Sequence, residues 1–133
     1  MKKIVTSGKR KTAVAKAVIV EGSGQIKINK KKYMHFHLFD RLKIEEALRI
    51  AETFLGKLNF DVEISVRGGG EKSQIEATRL ALARAIVKFS GSKELKDAYQ
   101  EYDWGLVTAD VRRKETYKPG DSRARAKRQT SFR

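Results

Sequence analysis

Residues Val66 to Gln74 read VRGGGEKSQ, and no other stretch of the chain comes closer to phosphate chemistry. A strand, then glycines, then a helix is how phosphate-binding loops present backbone N–H groups and a helix N-terminus to an anion. The nucleotide-cradling P-loop needs Gly-Lys-Ser/Thr after four spacer residues, whereas here Glu71 precedes Lys72 and Ser73. GxGxxG fails as well, because position 73 is serine. Two readings remain. Gly68, Gly69 and Gly70 either form a sharp strand-to-helix turn requiring φ > 0, or let the backbone approach an RNA phosphate closely, with Arg67 and Lys72 alongside. The flanking cations favour the second.

SGKRKTAVAK repeats the theme: Lys9, Arg10 and Lys11 follow a flexible Ser7–Gly8 and lead directly into a strand, which holds them at one edge of a sheet. A frayed, solvated N-terminus is the plainer alternative. HFHLFD places His35 and His37 two apart with Asp40 three further on, but no third histidine and no cysteine exists to complete a metal site. They read as ordinary polar or RNA-facing histidines. Glu45–Glu46 and Asp97–Glu101 read as solvated helix faces, and no nucleophile-base set can be assembled, so nothing argues for catalysis. Tyr99, Tyr102 and Trp104 have the chemistry to stack on bases. Their clustering with Glu101 and Asp103 instead predicts packing beneath a helix.

The charge is unevenly spread. The 133 residues carry a net +14, with +9 in residues 1–32, −2 in 33–111 and +7 in 112–133. A near-neutral body with two basic ends points to a polyanion or an anionic surface as partner. The stretch SRARAKRQTSFR has five Lys or Arg in twelve positions and one aromatic, Phe132. It cannot bury enough apolar surface to offset its own ordering. The expectation is a body over 1–111 and an extended basic tail over 112–133. No apolar run nears the ~20 residues of a membrane span, and the first residues lack the apolar stretch of a signal peptide. Without cysteine there are no disulfides, and a cytoplasmic home is expected.

The positioning elements follow from periodicity. Thr12 to Val20 is a β-branched strand, EGSG a turn, and QIKIN a partner strand, so a hairpin with one apolar and one basic face is expected. Ile44, Ala47, Leu48, Ala51 and Leu55 form a helical stripe within Leu42–Leu55. NFDVEISVR alternates cleanly as a strand. A long helix from about Ser73 to Phe89 places Ile75, Thr78, Leu82, Ile86 and Phe89 on one face, with Ala85 in support and Arg79 and Lys72 pointing elsewhere. Gly91 stops it, Ser92 caps a shorter helix, LVTADVR suggests a last strand, and Pro119–Gly120 opens the tail. Together these predict an α+β two-layer sandwich with helices on a single face of a small, mostly antiparallel sheet.

In this order and spacing, SGKRKTAVAKAVIVEGSGQIKIN, VRGGGEKSQIEATRLALARAIV and ADVRRKETYKPGDSRARAKRQTSFR resemble the small ribosomal subunit protein nine family, in its archaeal and eukaryotic form. The resemblance runs almost end to end. It implies a βαβ-type fold with left-handed crossover, a seat on rRNA of the subunit head among neighbouring head proteins, and a tail threading inward toward the anticodon stem-loop of the peptidyl-site tRNA. The candidate rRNA-binding residues are Lys9, Arg10, Lys11, Arg67, Gly68, Gly69, Gly70, Lys72, Arg112, Arg113, Lys114, Arg123 and Arg125. The tRNA role falls on Arg133, helped by Arg128 and Lys127. Members of this branch often end in lysine-serine-tyrosine-arginine; here Thr130, Ser131, Phe132 and Arg133 keep the arginine and lack the phenol hydroxyl. No cofactor, metal, membrane or small-molecule substrate is implied.

Fully extended, the 22 residues from Arg112 reach about 70 Å, enough to cross much of a ribosomal domain. Two other readings compete. A free-standing basic RNA-binding protein or RNase accessory subunit gains little from an unstructured arginine-rich end. A phosphate-handling enzyme built on VRGGGEKS is opposed by its failed motif.

Overall fold

A computed structural model of the chain describes residues 2–120, 123–125 and 127. Its elements run β1 (Ile4–Arg10), β2 (Ala13–Glu21), β3 (Ile26–Ile28), β4 (Lys31–Lys32), a 3-10 turn (Tyr33–His35), α1 (Leu38–Leu55), β5 (Phe60–Arg67), α2 (Glu71–Ser90), α3 (Lys93–Tyr102) and a second 3-10 turn (Trp104–Leu106). The five strands form one sheet in the order β1-β2-β5-β3-β4, antiparallel throughout except where β3 lies parallel to β5. The fold is α+β, with α1 and α2 covering one face of the sheet.

Strict alternation builds the core. Ala13, Ala15, Ala17 and Ile19 of β2 and Phe60, Val62, Ile64 and Val66 of β5 are buried, while the residues between them turn to the open face. α2 is buried on most of its circumference, including Leu82 and Ile86 at zero exposure, because it lies between the sheet and α1. Phe60 meets Phe89 edge-on, with ring centroids 5.7 Å apart. Gly91 ends α2 in the left-handed region at φ 66°, and the Ser92 hydroxyl accepts from Leu95 N at 3.2 Å to start α3. Tyr99 is fully buried and donates its hydroxyl to the Ala47 carbonyl at 2.7 Å, tying α3 to α1; burial pushes its phenol pKa up.

Four expectations change. The hairpin predicted for Thr12–Asn29 does not form, because β5 inserts between β2 and β3. The Asp61 carboxylate accepts from the backbone N–H groups of Ser23, Gly24 and Gln25 at 3.0, 3.1 and 3.0 Å, which opens EGSG into a wide loop. β5 brings four inward apolar residues where β3 has only Ile26 and Ile28, so β5 takes the position between them. Second, Ser7–Gly8 is not a flexible lead but the middle of edge strand β1, with Gly8 pressed onto α2. Third, LVTADVR is no strand. Asp103 accepts from Gly105 N at 3.0 Å and curls the chain into a 3-10 turn, leaving one isolated bridge, Arg10 to Asp110. Fourth, of the three clustered aromatics only Tyr99 packs beneath the helices; Tyr102 and Trp104 are exposed. α1 also begins earlier than expected, at Leu38, and α2 at Glu71.

Candidate nucleic-acid interface

The β1–β2 connection is a two-residue turn, Lys11–Thr12, closed by the Arg10–Ala13 pair. Lys11 sits at φ 54°, a left-handed conformation uncommon for a lysine. Register then aligns the neighbouring cations: Lys9 pairs with Val14, and Val14 pairs with Arg67, so Lys9 and Arg67 share one cross-strand row on the open face. Two inter-strand spacings put their backbones about 10 Å apart. Gly68 and Gly69, at φ 79° and 66°, turn the chain back across this hairpin end. A Cβ on Gly68 would lie 2.6 Å from the Thr12 carbonyl oxygen, so only glycine fits. Gly70 differs, with an extended φ of −90° and open space where a side chain would stand.

Gly70 is also the N-cap of α2, and no side chain caps that end. Gln74 N donates to the Gly70 carbonyl at 2.9 Å and Gln74 Nε2 to the Gly68 carbonyl at 3.1 Å. The amides of Glu71, Lys72 and Ser73 are left with no intrahelical acceptor, as at any helix start. Exposed Lys72 stands in the same turn beside Glu71, whose carboxylate complements the helix dipole. Lys9, Lys11, Arg67, the glycine loop and Lys72 therefore meet at one end of the sheet. The bridge between Arg10 and Asp110 brings the start of the basic C-terminal segment to the same place.

Arg10 behaves differently from its neighbours. Only 17% of its side chain is exposed, its Nε reaches Glu76 at 2.6 Å and its Nη1 lies 3.2 Å from Asp110, so it holds β1, α2 and the segment after α3 together. Arg112 grips Asp110 through Nη2 at 2.6 Å and Nε at 2.9 Å, yet stays 80% exposed and presents its outer face to solvent. Those hydrogen bonds hold the Asp110 carboxyl far below the usual carboxylate range, and Asp110 in turn raises the Arg112 guanidinium.

A family profile described as ribosomal protein S9/S16 matches residues 8–133. The chain belongs to that family. Over 136 residues covering all of both chains, it is 46% identical to small ribosomal subunit protein uS9 of Methanococcus maripaludis. It is 44% identical over 135 residues to the uS9 protein of Methanothrix thermoacetophila, again end to end.

The remaining candidates of this S9-family chain lie along the C-terminal segment. Arg113 donates to the Asp110 and Arg112 carbonyls at 3.2 Å, and the Lys114 ammonium sits 5.0 Å from the Tyr117 ring centroid. Arg125 Nε pairs with Glu115 at 2.9 Å, while Arg123 and Lys127 are exposed. Arg128 and Arg133 lie outside the described residues. His35 and His37 are exposed beside a cavity of about 420 Å³ that also touches Asp40 and Glu71, and no three metal-ligating side chains group together among the described residues. No helix among them is long and apolar enough to cross a membrane.

Two features escaped the sequence. Glu46 is not simply solvated: Arg79, 14% exposed, binds it at 2.7 Å and Asp103 at 2.9 Å, clamping α1 to the turn after α3. A second cationic group, Lys30, Lys31 and Lys32, is displayed on the β3–β4 turn, where Asn29 and Lys30 both have positive φ. Asn29 fixes that turn, its side chain accepting from Val66 N at 2.9 Å and donating to Val66 O at 3.4 Å. The signal was available: Asn before a lysine run after a short alternating strand is turn chemistry.

Proposed function

We propose that this S9-family protein is a structural, non-enzymatic constituent of the small ribosomal subunit in the cytoplasm. In this reading it binds rRNA of the subunit head through the basic end of its sheet and extends residues 112–133 toward the anticodon stem-loop of the peptidyl-site tRNA. The observation that carries it is the convergence of Lys9, Lys11, Arg67, Lys72 and the glycine loop at the end of the sheet where the basic segment also departs. Lysines and arginines at fixed spacing position a protein on phosphates without reading bases. The glycines keep side-chain bulk away from the α2 N-terminus, so a phosphate oxygen can reach its amides. Residues 111–120 are exposed along their whole length and own no core, which suits a segment ordered by RNA rather than by itself.

Co-sedimentation of a tagged copy with ribosomal subunits, before and after a high-salt wash, tests the reading. Stoichiometric retention in the small-subunit peak is expected, and loss to the top of the gradient would overturn it. Contact by four side chains predicts that affinity of the free protein for head rRNA falls about 100-fold over a five-fold rise in salt. The double variant Lys9→Glu/Arg67→Glu should flatten that dependence. For the tail, Arg133→Ala should weaken tRNA binding in the peptidyl site; unchanged affinity would remove the tRNA arm and leave the rRNA role standing.

A further inference from the structure

β1 is an edge strand whose outer side is covered only toward its C-terminal end, where Asp110 bridges Arg10 and Arg84 spans Ser7 and Val107. The Ser7 carbonyl accepts from Arg84 Nη1 at 3.0 Å across α2. Residues of its parity, Val5 and Ser7, therefore turn their backbone groups away from β2, and the N–H groups of both and the Val5 carbonyl have no acceptor or donor among the described residues. Beside this edge runs a cavity of about 680 Å³, walled by the open face of the sheet on one side and by α2, α3 and the chain at Val107 on the other. Val5 (47% exposed) and Val14 (42% exposed) line the sheet wall, and Val87 and Val107 line the helical wall. The charged groups lining it are Lys16, Arg84, Lys88 and Lys96; among the described residues no carboxylate does so.

We propose that this groove docks an extended acidic segment of a neighbouring protein, added to β1 as a sixth strand with alternating apolar and acidic side chains. Free strand-edge groups supply main-chain hydrogen bonds, the lining valines take the apolar side chains, and the four cations receive the carboxylates. The chain's own residues 112–133 carry net +7 and are repelled from such a lining. A second copy pairing β1 to β1 would bring Lys3 and Lys9 of one copy beside the same lysines of the other, so self-association is disfavoured too. A nucleic acid would satisfy the cations but has no use for valine walls and a strand edge.

The test uses the full-length chain and a fluorescein-labelled peptide, Ac-EVDVEVE-NH2, with Ac-KVKVKVK-NH2 as control. Anisotropy should show binding of the acidic peptide and at least ten-fold weaker binding of the control. On saturation the Val5 and Ser7 amides should exchange with deuterium at least ten-fold more slowly. Val5→Pro, which removes an N–H that β2 does not use, and the double variant Lys88→Glu/Lys96→Glu should each weaken the peptide at least ten-fold, with unchanged circular dichroism. Unchanged exchange at Val5 and Ser7, equal binding of the control, or no effect of the lysine variant would overturn the proposal. So would a uridine dodecamer occupying the groove in place of the peptide, seen as shifts of the Val5, Lys88 and Lys96 amides, which would make it a nucleic-acid site.

Discussion

A Cβ added to Gly8 would lie 2.4 Å from the Ala77 carbonyl oxygen, 2.7 Å from Ala81 N and 3.1 Å from Leu80 Cβ. Two of these neighbours are helix backbone and cannot swing aside, so Gly8→Ala must push β1 off α2. Ordinary van der Waals separation needs a retreat of about 1 Å. The same retreat stretches the bond from the buried Thr6 hydroxyl to the Ala81 carbonyl, now 2.9 Å, beyond hydrogen-bonding range. Overpacking of this kind costs about 1–3 kcal/mol, and the lost bond adds about 1 kcal/mol. Stiffening the unfolded chain by replacing glycine returns about 0.4–1 kcal/mol. The net is about 1–3.5 kcal/mol of destabilisation, a fall in melting temperature of roughly 3–14 °C for a body of this size. Thermal melts and urea titrations of the two proteins measure it. A variant within about 0.5 kcal/mol of the parent, the range of an inert surface change, would refute the seating of β1 on the α2 backbone.

Other outcomes follow from the same geometry. Leu82→Ala, at a fully buried site between sheet and α1, should lower stability by about 2–5 kcal/mol in urea unfolding. Ser92→Ala removes the α3 cap and should cost about 1 kcal/mol by the same measurement. Asp61 accepts backbone N–H bonds, from Gln25 first, that lower its pKa, so its stabilising effect is present above the unfolded value near ~4 and is lost as pH falls through the folded one. Asp61→Asn should therefore be the less stable protein at neutral pH, and the two unfolding curves should converge in acid. Deleting residues 122–133 should leave the urea midpoint of the body unchanged, and loss of a cooperative transition would contradict a division of the chain at about residue 111.

Periodicity exposed the elements whose own residues decide them: β2, β5 and α2 alternate or repeat clearly, and Ser92 and Gly91 punctuate α3 with recognisable caps. What stayed hidden depends on partners distant in sequence. β1 is polar and holds a glycine, and its role shows only when α2 lies against Gly8. The place of β5 between β2 and β3 is set by competition among strands and by Asp61 reaching back to residues 23–25. At the candidate interface, residue types marked Lys9, Arg67 and the glycines, but only the register placed them in one row. Arg10 looked equivalent to Lys9 and Lys11, and the inward pleat of β1 instead turned it onto Glu76. Arg79, read only as pointing off the apolar face, and Glu46, read as solvated, became a clamp because α1 and α2 pack together there.

The insertion of β5 between β2 and β3 sets an order of events during synthesis. β2 and β3 leave the ribosome about 40 residues before the strand that joins them, an interval of about 2–8 s at ordinary elongation rates of 5–20 residues per second. Until then β2 and β3 each lack β5 on one side, and the row of Lys9, Val14 and Arg67 does not exist. A nascent chain of 60 residues already carries the +9 of its first 32 in a form with no fixed geometry. For those seconds the protein has the charge of an RNA ligand without its shape, so nascent copies are candidates for shielding by a basic-chain chaperone.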